Sequence, residues 1–144
     1  MPKIDNQTLT DVRVAMVPLA ITATKTDNPI LDTKQVRGVQ LVVVAGAISA
    51  ADASNYIANV IEEGDNSALT DAAAVAMADL IVDGDPAASA VSRINNTNLA
   101  GTVVSRISYI GNKRYLRYKP TETGTFDGLV SATWVLTELL EMPV

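Results

Sequence analysis

Val103 to Lys119, VVSRISYIGNKRYLRYK, constrains this chain more than any other stretch. Two runs rich in β-branched and aromatic residues flank Gly111-Asn112, a pair suited to the positive φ angles of a tight hairpin turn. Apolar and polar residues alternate in both runs, the period of a strand with one buried face and one wet face. One face carries Val103, Ile107, Tyr109, Leu116 and Tyr118; the other carries Arg106, Ser108, Tyr115, Arg117 and Lys119. A two-residue turn sets Tyr109 opposite Arg114, Ile107 opposite Leu116 and Arg106 opposite Arg117. A four-residue loop shifts the partners but keeps the faces. Either register puts Arg106 across from a cation, Arg117 or Lys119, and like charges across a ladder destabilise it. An acid is therefore expected nearby, from this chain or a partner; otherwise the arginines fan apart into solvent.

The same period returns in Leu129 to Leu140, where Val130, Ala132, Trp134 and Leu136 alternate with Leu129, Ser131, Thr133, Val135 and Thr137. Val36 to Val44 is the most strand-like segment; Gly38 suggests a bulge, Leu41 to Val44 suggests burial on both faces, and Gly46 a break. Val12 to Thr24 is a strand interrupted at Pro18, which cannot donate to a ladder and so belongs at a sheet edge or a strand start. Lys25 to Pro29 and Pro120 to Asp127 are turns and Ile30 to Lys34 a short extended piece; Ser49 to Glu63 fits either a helix capped at Ser49 or, the reading favoured, a strand over Tyr56 to Glu62. Thr70 to Val82 is the one persuasive helix: Thr70 can cap it, Asp71 suits the positive end of its dipole, and alanine dominates. The total, roughly six to eight strands with one or two short helices, predicts a mainly β, single-domain β-sandwich, jelly-roll-like. The domain spans residues 1–144, with residues 1–10 a flexible N-terminal arm.

Composition excludes several classes. The 144 residues include no cysteine and no histidine, so disulfides, Cys/His zinc sites, thiol nucleophiles and the common catalytic triads are ruled out. No signal peptide is visible, and the longest apolar run, Leu41 to Ile48, is far short of a membrane span, which predicts a soluble protein made in the cytoplasm with no membrane partner. A net charge of −5 argues against nucleic acid as a partner. The charges are also segregated. No Lys or Arg lies between Gly38 and Ser92, whereas Asp52, Glu62, Glu63, Asp65, Asp71, Asp79, Asp83 and Asp85 all do. Such complementarity predicts that one surface meets another, within the chain or between copies.

Site chemistry is sparse. Glu62 and Glu63 fall on opposite sides of a strand and read as solvated turn residues rather than an acid–base pair. Asp79, Asp83 and Asp85 lack the spacing of a calcium loop and read as a helix-ending turn. Gly124 to Gly128 lacks the lysine of a phosphate loop. The Tyr-Arg alternation of the hairpin could stack on bases or sugars, which keeps a glycan- or nucleic-acid-binding module open as an alternative. The reading is a non-enzymatic protein without cofactor or metal, whose partner-contact residues are Arg106, Lys113, Arg114, Tyr115, Arg117 and Lys119.

Ser108-Tyr109-Ile110-Gly111-Asn112-Lys113-Arg114-Tyr115-Leu116-Arg117, followed by Thr121-Glu122-Thr123-Gly124-Thr125, resembles a hairpin of small virion structural proteins of tailed bacteriophages. Their usual form is Gly-Tyr-Ile-Gly-x-Lys-Arg-Tyr-x-Arg with a Thr-x-Thr-Gly-Thr turn behind it; Ser108 replaces the usual Gly here. The order upstream is similar too: Ala20 to Thr24, Ile30-Leu31-Asp32, a strand ending near Val44 to Ala47, then Ile61 to Asn66. The resemblance implies a component of the phage particle, foremost a capsid decoration (cement) protein on the virion surface. Its expected partners are the major capsid protein and copies of itself, with a trimer the favoured ring. A head-completion, head–tail connector or tail protein is the alternative. On this reading Arg117→Glu should leave the isolated fold nearly unchanged and weaken the contact with a neighbour.

Overall fold

A computed structural model describes the backbone of residues 10–139 and the side chains of residues 10–137. Ten strands are present among the described residues: β1 (Thr10–Ile21), β2 (Leu31–Asp32), β3 (Val36–Ala50), β4 (Tyr56–Gly64), β5 (Ala73–Ala74), β6 (Leu80–Val82), β7 (Arg93–Ile94), β8 (Val103–Tyr109), β9 (Tyr115–Thr123) and β10 (Asp127–Leu139). They form two antiparallel sheets. Sheet A runs β1-β10-β3-β8-β6, and sheet B runs β2-β9-β4-β5, with β7 also on β4. Strand pairs 1–10, 3–8 and 2–9 nest one inside another, and 4 pairs with 5 and 7, which is the winding of a jelly roll. The β-sandwich expected from the sequence is present. The arm expected over residues 1–10 lies outside the described residues, except for Thr10, which opens β1.

The alternation read in the sequence decides what faces inward. Val130, Ala132, Trp134 and Leu136 of β10 are buried, as are Leu41 and Val43 of β3 and Ile107 and Tyr109 of β8. Leu116 and Tyr118 of β9 and Ile57 and Ile61 of β4 meet them from sheet B, and all belong to one core. Fully burying such a side chain is worth roughly 1.5–3 kcal/mol, so this interleaving is the main source of stability. Asn28 Oδ1 and Trp134 Nε1 are buried without a hydrogen-bond partner, whereas Tyr118 and Asn59 are paired inside the core. The Tyr118 hydroxyl donates to Asn59 Oδ1 at 2.8 Å, and Asn59 Nδ2 donates to Ser92 Oγ at 3.0 Å.

The topology overturns the hairpin. β8 pairs with β3 and β6 in sheet A, whereas β9 pairs with β4 and β2 in sheet B. Residues 110–114 thus arch from one sheet to the other, and Arg106 is nowhere opposite Arg117. Neither Gly111 nor Asn112 has a positive φ. Gly111 is required for space instead: a Cβ there would lie 2.5 Å from the Tyr109 hydroxyl and 2.6 Å from the ring carbon bearing it. The two inferred faces survive, because each strand still buries its alternate side chains; only Val103, at the start of β8, is exposed rather than buried.

The helix is also absent. Thr70 to Val82 forms a turn, β5, a 3-10 turn at Met77–Asp79, and β6. Ala73 and Ala74 extend the edge of β4, and Leu80 to Val82 extend the edge of β8. Burying Leu80 and Val82 on alternate positions outweighs alanine's helix preference, which is under about 1 kcal/mol per residue. Asp71 caps no helix; it accepts from the backbone N–H groups of Asp65 and Asn66. Smaller corrections concern β3 and β9. Gly38 stays in register with Thr137, whose side chain lies over it, so it marks no bulge. Gly46 does not end β3; it leaves room for Leu129 across the ladder. Val44 is exposed, so the apolar run is not buried on both faces. Pro120 to Thr123 belong to β9, and the turn begins at Gly124, with φ 71°.

Candidate contact surfaces

The basic residues singled out in the sequence are dispersed by the arch. Arg106 lies on sheet A, Lys113 and Arg114 lie in the connection, and Tyr115, Arg117 and Lys119 lie on sheet B. Register sets Arg117 directly across from Glu62. Arg117 Nη2 reaches Glu62 Oε2 at 2.7 Å, and Lys119 Nζ reaches Glu62 Oε1 at 2.9 Å. Burial pushes the Glu62 carboxyl up, but hydrogen bonds from Lys119 and Arg117 outweigh it and hold the group below the usual glutamate range. Glu62 is therefore no solvated turn residue. It is covered by two cations on the outer surface of sheet B.

The two cations of the connection are partnered at the surface. Lys113 reaches Asp65 at 2.5 Å, and Arg114 grips both carboxylate oxygens of Asp32 at 2.8 and 2.7 Å. These pairs are exposed, where solvent and salt screen them, and they contribute little to stability. The Arg114 guanidinium also lies 5.0 Å from the Tyr115 ring centre, and Arg93 lies 4.3 Å from that of Tyr56. One face of Tyr115, a ring of the stretch that could have stacked on bases or sugars, thus carries a guanidinium group of the same chain. The acidic segment and the basic segment meet within one molecule, at β4 and β9.

Glu63, on the opposite side of β4, ties the two sheets together. The Tyr109 hydroxyl donates to Glu63 Oε2 at 2.5 Å and accepts from the Lys113 backbone N–H at 2.8 Å. Burial first, and then the Glu63 carboxylate, push the Tyr109 phenol well above its ordinary range. Asp83 accepts from Ser105 Oγ and from the Arg106 N–H, which fixes the end of β6 to β8. Among the described residues no group of acids is placed to hold a metal ion.

The surface that the sequence reading missed is the outer face of sheet A. Residues paired in register share a face, so three rows can be followed across the sheet. Val12, Val135, Gln40 and Ser108 form one; Val14, Thr133, Val42 and Arg106 the next; Ser131, Val44 and Val103 the third. Val12 is 60% exposed, Val14 55% and Val103 49%, and Leu129 adds to them beyond the third row. Arg106 is the one charge in these rows, and its guanidinium has no carboxylate partner among the described residues. The signal was present in Leu41 to Val44, apolar at both parities: one parity faces the core and the other faces out. Comparison with family models, with curated proteins and with solved structures gives no match.

Proposed function

We propose that this protein is a structural component of a tailed-phage particle, a capsid decoration protein that docks through the outer face of sheet A. The carrying observation is that face: three rows of Val, Thr, Ser and Gln around a single unpaired cation, Arg106. An antiparallel sheet with a free outer face normally wets it with charge, as sheet B does with Arg117, Lys119 and Glu62. An extended apolar patch on a soluble domain marks a place for another protein. The jelly-roll winding supports the reading by analogy, since viral capsid domains use it, and the residues of the 108–125 stretch supply the resemblance to phage structural proteins. Bound to the major capsid protein, such a domain stabilises the lattice by favouring the assembled state.

The test is attachment to purified capsids, followed by sedimentation and a gel calibrated against the major capsid band. Wild type should bind in many copies per particle. Arg106→Glu and Val44→Lys should release it, while Lys113→Glu, in the connection between the sheets and paired with Asp65, should bind like wild type. A dozen copies or fewer would mean a connector or tail position instead. Unchanged attachment of both face variants would overturn the docking surface.

A further inference from the structure

We infer that two copies of this chain pair edge to edge through the first half of β1, antiparallel, about a two-fold axis at Val12. The edge is open: β1 pairs with β10 on one side and with no strand on the other among the described residues. Long open edges template pairing unless something blunts them. The second half is blunted by its backbone, while the first half carries only the charges of Asp11 and Arg13, with the Val12 N–H donating to Asp11 Oδ1 at 2.8 Å. Pro18 lacks an N–H, and the register with β10 slips between Val14 and Met16 and again between Met16 and Leu19. Thr10 to Val14 keeps an unbroken register with Thr137 to Thr133 and so offers a regular edge.

Charge then selects one register. Asp11 and Arg13 point to the same side of β1, joined at 2.6 Å, with 37% and 63% of their side chains exposed. Centring the pair of strands on Val12 sets each Asp11 opposite the Arg13 of the other copy. Centring on Asp11 or on Arg13 opposes like charges, and centring on Val14 sets both charged groups against apolar residues. Only the Val12 register matches both. It also sets Val12 against Val12, and Thr10 against Val14, on the outer face. The two sheet A outer faces then join into one continuous ten-stranded surface. This inference stands apart from the capsid reading, because it rests on the edge and not on the face.

Two experiments decide it. The chain has no cysteine, so Val12→Cys introduces a single thiol. Directly opposed residues in an antiparallel pair have Cα atoms about 4.5–5.5 Å apart, within disulfide reach. Oxidation with copper phenanthroline should give a covalent dimer of Val12→Cys and little of Val14→Cys, whose counterpart lies opposite Thr10. Equal cross-linking of both variants would overturn the register. In analytical ultracentrifugation of the full chain at up to millimolar concentration, wild type should dimerise. Asp11→Arg and Arg13→Asp alone should each weaken the dimer by about tenfold or more, since two like charges then face each other across the axis. Mixed in equal amounts, they should recover the dimer, because one copy brings two cations and the other two anions. A wild type that stays monomeric, or a mixture no stronger than its components, would overturn the inference.

Discussion

Glu62 is 7% exposed and carries two cations on its carboxylate, which makes it the most consequential charge in the molecule. Arg117→Glu would set a second carboxylate opposite it at a paired position. The expected cost is about 2–4 kcal/mol in urea denaturation, less than for a fully buried pair because Arg117 is partly solvated. Arg106→Glu, on an exposed position without a partner, should stay within about 0.5 kcal/mol of wild type. Equal effects would mean that the Glu62 cluster contributes nothing. Acid stability follows from the same residue. Its folded carboxyl lies below the ordinary glutamate range, so its contribution is present above that range and is lost as pH falls through the lowered value. Denaturant midpoints measured down an acid series should therefore fall less steeply for Glu62→Gln than for wild type. The cations were legible in the sequence and the acid was also visible, but not that they meet: topology alone brings position 62 to position 117. That is why a clash between Arg106 and Arg117 was expected where an ion pair exists.

The elements show a similar division. β10 was legible because core and solvent impose period two on Val130, Ala132, Trp134 and Leu136, and nothing local competes. β8 and β9 were legible as strands, with the right faces, but not as members of different sheets. Gly111 mimics a hairpin turn, while its actual constraint is the Tyr109 ring beneath it. Alanine misled at Thr70 to Val82, since a residue that buries little on its own goes where its neighbours' pairing takes it. The arch makes two testable demands. Gly111→Ala should cost about 1–3 kcal/mol, because the aromatic ring cannot yield to the added methyl group without strain. Leu116→Ala, at the far foot of the arch and fully buried, should cost about 2–5 kcal/mol. Thermal and urea unfolding would measure both, and a neutral Gly111→Ala would show that the loop has another path.

For the whole molecule, two properties follow from the winding. One is two-sidedness: sheet B closes its outer surface with internal ion pairs, whereas the outer rows of sheet A hold Arg106 as their one charge and, among the described residues, β1 leaves an edge open. On the function proposed above, contacts with other molecules use sheet A, and the inferred edge contact builds a closed pair where the sequence led to the expectation of a ring of three. The other is non-locality. β1 and β3 both depend on β10, so folding has to close very long loops before most pairings form. Refolding followed by tryptophan fluorescence from the buried Trp134 should take milliseconds to seconds, in the range of β-sandwiches. A microsecond phase that carries the full amplitude would contradict that dependence.

The pairing of the first strand with the last has a consequence on the ribosome. Thr10 lies opposite Thr137, so the exposed edge and valines of β1 emerge long before their partner strand exists. At about 5–20 residues per second, the interval is roughly 6–25 s. During that time the nascent chain offers neighbouring chains on the same message a strand that can pair with its own kind. Pro18, three quarters of the way along it, lacks the N–H that such pairing needs and so shortens the stretch that can pair before the chain's own closure.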